Sequence, residues 1–177
     1  MVGCTNRDGE QALTLEEQSA LEQNKATAEI FIDAFYSFDA QKLQSLLAYA
    51  DETVQAILWY QGWAEGGNYK VLARSDCVAE SPYKINCAIT VQDDPVLALN
   101  TGFNVTDTFH LTFSGTNIAA ITTSSNDQPI YFEARQWVEE NMPEVISGPC
   151  NKQTGNAGDC ARAMTAGYQA FYQTRKP

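Results

Sequence analysis

Asp107 carries the strongest chemical signal in the chain. It sits in a run that alternates strictly between Phe103, Val105, Asp107, Phe109, Leu111, Phe113 and the intervening Asn104, Thr106, Thr108, His110, Thr112. Period-two alternation is the mark of a half-buried strand, and it places a carboxyl on the apolar face. A carboxylate among such neighbours is costly unless it is paired, hydrated or facing a cavity. Burial would raise its pKa and suit it to proton abstraction as a general base. The alternative is that Asp107 lies near the exposed end of the strand, or after a bulge that turns its face. No second acid or tyrosine can be set beside it from spacing alone.

His110, the sole histidine, falls on the opposite, threonine-rich face, which reads as solvent or interface. No nucleophile-elbow G-x-S-x-G and no phosphate-cradling glycine loop is present. Nothing in the sequence therefore calls for a cofactor. Aromatic residues are concentrated at Trp59, Tyr60, Trp63, Tyr131 and Trp137. Such side chains line ligand pockets, and at helical spacing they also build plain core. Tyr60, Trp63, Asp107, Phe109, Tyr131 and Trp137 are the expected pocket residues.

The five cysteines speak about address. Cys77 and Cys87 are ten residues apart, as are Cys150 and Cys160. Cys4 follows Met1-Val2-Gly3, which resembles the end of a bacterial lipobox, with Met1 standing in for upstream sequence. Lipidation of Cys4 leaves an even number for disulfides. Four cysteines allow three connectivities, of which two local pairs are the simplest; Cys77 and Cys87 are expected in two strands joined by a turn at Ser81-Pro82. No pair has the tight spacing of a zinc knuckle, so no metal site is expected. Disulfides and a lipid anchor together imply the bacterial cell envelope, periplasm or outer surface.

The 22 acidic against 11 basic residues, a net charge of −11, exclude the basic footprint of nucleic-acid binding. The same charge opposes an electrostatic grip on anionic lipid, so membrane contact is expected only through the anchor.

These residues must be positioned by a particular order of elements. Residues 1–13 read as a tether, and 14–177 as one domain. Thr14 and Glu17 have capping-box spacing and start a first helix. Asp39 and Asp51 can cap a second and a third, and Gly66-Gly67 stops the third. The period then changes to two from Tyr69 onward. Tyr83–Val91 forms a clean strand, Asp93-Asp94-Pro95 breaks it, and the 103–113 and 118–124 runs make a hairpin about Ser114-Gly115. A helix over 130–142 ends at Pro143, and Asp159 can cap a last one. Helices, then an antiparallel sheet of about four strands, then helices again read as α+β.

At this level the chain resembles the SnoaL-like branch of the nuclear transport factor 2-like superfamily. The likeness spans roughly 28–142. It is carried by residues 28–47 (AEIFIDAFYSFDAQKLQSLL), the strands around Cys77 and Cys87, the Asp93-Asp94-Pro95 break, and the hairpin through Asp107 and Gly115. The resemblance implies a cone in which a curved sheet wraps over the N-terminal helices and leaves a pocket at its wide end. It also implies a homodimer through the sheet's outer face. Within that superfamily, ketosteroid isomerase uses an Asp as proton shuttle in an apolar cone. The helix after residue 150 departs from the minimal pattern and could cap the pocket or cover the sheet. The leading expectation is an envelope lipoprotein that binds a small apolar ligand or partner protein in the cone, without catalysis. The alternatives are an isomerase, cyclase or hydrolase using Asp107, and a homodimeric assembly module with a filled cone.

Overall fold

The computed structural model describes residues 12–176; Cys4 and most of the proposed tether lie outside them. The chain runs α1 (Leu15–Tyr36), α2 (Ala40–Leu46), α3 (Thr53–Gly66), β1 (Lys70–Arg74), β2 (Val78–Ser81), β3 (Lys84–Gln92), α4 (Asp94–Leu97), β4 (Val105–Ser114), β5 (Asn117–Ser125), α5 (Pro129–Asn141), α6 (Pro143–Ser147) and α7 (Ala157–Thr174). This is an α+β fold: N-terminal helices under an antiparallel sheet, with an additional C-terminal helix.

The helix starts follow local chemistry. Thr14 and Glu17 form the reciprocal capping box. Asp39 Oδ1 accepts from the Gln41 and Lys42 amides, each at 3.0 Å. Asp51 Oδ1 accepts from the Thr53 amide at 2.9 Å at the entry to α3. The last helix begins two residues before the expected cap. Asn156, not Asp159, accepts from the first-turn amides of Gly158 and Asp159. An Asn side chain is as good a cap as Asp, and Ala157-Gly158 then pack into the interior as the first turn.

The sheet has five strands rather than four, in the order β1-β3-β4-β5, with β2 also pairing β3. β1 pairs with Ile89–Gln92 and β2 with Lys84–Asn86, so the two short strands share one edge of β3. The chain passes between them at Cys77, whose disulfide to Cys87 ties the crossing to the middle of β3. Cys77 thus lies one residue before β2, not within a strand. β3, β4 and β5 form the long part of the sheet, with Ile89 opposite Asp107 and Asp107 opposite Ser125. Gly115 takes the β4–β5 turn at φ +61°, a conformation costly for any residue with a Cβ.

One core lies between the sheet and α1–α3. Phe109 is fully buried at its centre, with ring centroids 4.8 Å from Phe35, 5.6 Å from Phe31 and 5.9 Å from Tyr60. Burial of such a ring contributes about 1.5–3 kcal/mol, and the edge-to-face pairs add to it. Asn24, fully buried on α1, donates to Pro82 O at 2.8 Å and Gly115 O at 3.0 Å, pinning two hairpin turns to the helix. A second core lies under α5, α6 and α7, around Val138, Met164, Tyr168 and Phe171. α7 crosses α3 at close range. A Cβ on Gly66 would stand 2.3 Å from Gly158, and one on Gly62 3.0 Å from the Ala157 Cβ. The C-terminal helix therefore packs on the other helices, chiefly α3 and α5, and walls the space beside the sheet.

Candidate functional site

A cavity of about 410 Å³ lies where the two cores meet, beside Val105 and Asp107. Strand alternation turns Val105, Asp107 and Phe109 to the same face, and the only irregularity in the β4–β5 register falls between Thr112 and Phe113. Neither alternative for Asp107 holds. It is 4 % exposed, in regular register, and lines the cavity. Its Oδ2 is buried without a hydrogen-bond partner among the described residues.

Three helices supply the rest of the wall. On α3, Gln61 donates to the carbonyls of Ala34 and Phe35 at 3.1 and 3.0 Å, locking the helix against the end of α1. That register turns Trp59, Tyr60 and Trp63 toward the cavity. Tyr131 reaches it from α5, and Met164 and Tyr168 from α7. The Cys150–Cys160 disulfide forms part of the rim.

The acids around Asp107 come from segments remote in sequence. The turn after β5 is folded back by Asn126, whose Oδ1 accepts from the Thr106 amide at 2.7 Å. This brings Asp127 into the cavity wall, where its carboxylate also accepts from the Ser125 hydroxyl. Asp93 is 2 % exposed. Its Oδ1 accepts from the Val96 amide at 2.9 Å, capping α4, while its Oδ2 has no partner among the described residues.

These surroundings set the electrostatics. Burial pushes the Asp107 carboxyl up to about 6; the Tyr60 hydroxyl holds it back, and Asp127 pushes it further. The Tyr60 hydroxyl stands near enough to Asp107 to favour its ionised form, though outside ordinary hydrogen-bond length. Burial pushes Asp93 up to about 7, opposed by the Val96 amide and reinforced by Asp107, Asp127 and Asp94. Burial likewise drives the Tyr60 and Tyr69 hydroxyls well up, with Asp107 adding to both. Tyr131 is pushed up to about 12, chiefly by burial. The cationic side chains of the wall, Arg135 and Lys152, are both exposed, and Arg135 is paired with Glu139 at 3.2 Å.

Of the expected pocket residues, Tyr60, Trp63, Asp107 and Tyr131 come together at the cavity. Phe109 and Trp137 do not. Phe109 fills the first core, and Trp137 packs on Phe171 in the second, with ring centroids 6.1 Å apart. Both satisfy the same apolar periodicity as true lining residues, which does not tell a packed wall from a hollow one. Asp93 is legible in the sequence only as part of a strand break, and Tyr69 only as the start of a period-two run.

His110 stands on the outer sheet face, outside the cavity. Asn86 Nδ2 donates to Glu80 Oε1 at 2.7 Å, which directs Asn86 Oδ1 toward His110 Nδ1 at 2.8 Å. The imidazole then donates through Nδ1 and accepts the Ser124 hydroxyl at Nε2, 2.8 Å away. This row of side chains crosses β2 to β5 and ties the strands together, a partner set that spacing did not reveal.

Both local disulfides are formed, Cys77–Cys87 and Cys150–Cys160, a pattern compatible with an oxidising, extracytoplasmic compartment. Among the described residues no group of three or more His, Cys, Asp or Glu is placed to hold a metal ion. No helix among them is long and apolar enough to cross a membrane. Comparisons with protein-family models, with curated proteins and with solved structures find no match to this chain.

Proposed function

We propose that the chain is a cell-envelope domain that binds a small amphipathic molecule in the cavity between sheet and helices. The observation that carries this reading is the hollow itself: about 410 Å³, walled by aromatic rings, with the largely buried carboxyl of Asp107 in its lining. Ligand pockets have this size and this mixture of apolar wall and few polar groups. The envelope address rests on the two disulfides and on the lipobox-like setting of Cys4, through which the domain would be anchored. The order of elements and the hollow beside β4 also support kinship with the SnoaL-like cone folds.

The test is saturable binding of a neutral apolar fluorophore, N-phenyl-1-naphthylamine, to the disulfide-intact protein. Thr123 lines the cavity from an exposed stretch of β5, so Thr123→Trp puts bulk into the opening without disturbing a packed core. The variant is expected to bind the probe at least tenfold more weakly. Equal binding by both proteins would remove the cavity as the site.

A second reading, proton transfer with Asp107 as base, draws on that carboxyl's pKa of about 6, where a general base can work near neutral pH. It requires a turnover that Asp107→Asn abolishes. A pure assembly role fits less well. The interior is hollow, and the outer sheet face presents Thr90, Thr106, Thr108 and His110 rather than an apolar patch.

A further inference from the structure

We propose that the ligand of this cavity is an organic cation, a protonated amine on an apolar body, with its N–H directed at the Asp107 carboxyl. The inference rests on the cavity being a binding site and adds the charge of what fills it.

Three observations converge. Asp107 lines the cavity, and its carboxyl forms no hydrogen bond with the protein among the described residues. Asp127 lines the same cavity and acts on the ionisation of Asp107, which in turn acts on that of Asp93, so negative charge accumulates around Asp107. Among the described residues, the cations of the cavity wall are Lys152 and Arg135. Both are exposed, and Arg135 is already engaged by Glu139. A buried charge left uncompensated is strongly unfavourable, and a ligand that brings the opposite charge and a donor relieves it.

The wall selects the kind of cation. Trp59, Tyr60, Trp63, Tyr69 and Tyr131 present rings around the same space, and ammonium groups are attracted to aromatic faces. A bare metal ion is a poor match, since no group of three or more ligating side chains is assembled among the described residues. An anionic ligand would meet the carboxyl groups of Asp107 and Asp127 in the wall. A neutral apolar ligand would fill the space and leave Asp107 unpaired.

pH should tune the preference. The ionisable groups electrostatically coupled to Asp107 are Tyr36 from α1, Tyr60 from α3, Tyr69 from the turn before β1, Asp93 after β3 and Asp127 after β5. The tyrosines stay neutral across the working range, so the acids alone decide the charge. Affinity for an amine should rise as the pH passes upward through about 6 and Asp107 ionises.

The experiment compares two probes of nearly equal shape, tryptamine and 3-propylindole, by isothermal titration calorimetry on the intact, oxidised chain at pH 8 and pH 5. Tryptamine is expected to bind at least tenfold more tightly than 3-propylindole at pH 8. That ratio should shrink at pH 5 and fall toward one in Asp107→Asn. If 3-propylindole binds and tryptamine binds no better, the cavity is a binding site but not one for cations, and this inference falls alone. If neither probe binds, the cavity reading and this inference fall together. The wild-type comparison decides the matter even if the variant fails to fold.

Discussion

Asp107→Asn should make this protein more stable at alkaline pH. The structure buries the carboxyl at 4 % exposure with one oxygen unpartnered, and its pKa moves from 3.8 to about 6. At about 1.4 kcal/mol per pKa unit, ionising Asp107 in the fold costs about 3 kcal/mol more than ionising it in the unfolded chain. An acid with a raised native pKa holds its proton more tightly when folded. Its contribution is therefore fully present below about pH 4, is lost as the pH climbs from about 4 to 6, and stays lost above that. Asparagine has nearly the same shape and no charge to desolvate. The variant should match wild type near pH 4 and exceed it by about 3 kcal/mol at pH 8, worth about 6–12 °C in Tm for a chain of this size. Asp93, raised to about 7, gives both proteins a further decline toward neutrality. That decline should be shallower in the variant, because Asp107 no longer repels Asp93. Urea unfolding followed by circular dichroism at pH 4, 6 and 8, with disulfides intact, measures all of this. A variant less stable than wild type at pH 8, or one with an unchanged pH profile, would refute the buried-carboxylate argument.

Two further perturbations test how the site is held. Asn24→Ala removes the donor shared by Pro82 O and Gly115 O and should cost about 2–3 kcal/mol in urea unfolding; a loss below about 0.5 kcal/mol would mean that the two turns do not depend on α1. Replacing Cys150 and Cys160 together by serine opens a ten-residue separation and should cost about 3 kcal/mol, as should the same change at Cys77 and Cys87. Only the first pair lines the cavity, so only its removal should also weaken N-phenyl-1-naphthylamine binding. Equal weakening by both pairs would show that the rim is not set by the nearer disulfide.

Much of the frame is written locally. The Thr14–Glu17 box, the Asp39 cap, the turn at Gly115 and the alternation through β4 are each decided within a few residues, because capping and strand periodicity are short-range effects, whereas α3 starts from Glu52 without the side-chain cap expected of Asp51. The inward turn of Asp107 belongs to this class. So does the pairing of cysteines ten apart, once the chain between them is folded.

What the carboxyl meets after turning inward is decided elsewhere. Asp93 comes from the break after β3 and Asp127 from the turn after β5, and only the pairing of β3 with β4 and of β4 with β5 brings them to it. The hollow likewise arises because two cores, under α1–α3 and under α5–α7, meet without filling the space between them. Periodicity assigns a side chain to a face, and it assigned Phe109, Trp137 and Tyr60 to apolar faces alike. Whether that face closes on packed neighbours or on an empty volume depends on helices more than sixty residues apart in the chain, such as α3 and α7, crossing at Gly66 and Gly158. That crossing is a property of the assembled tertiary structure, since no single segment contains it.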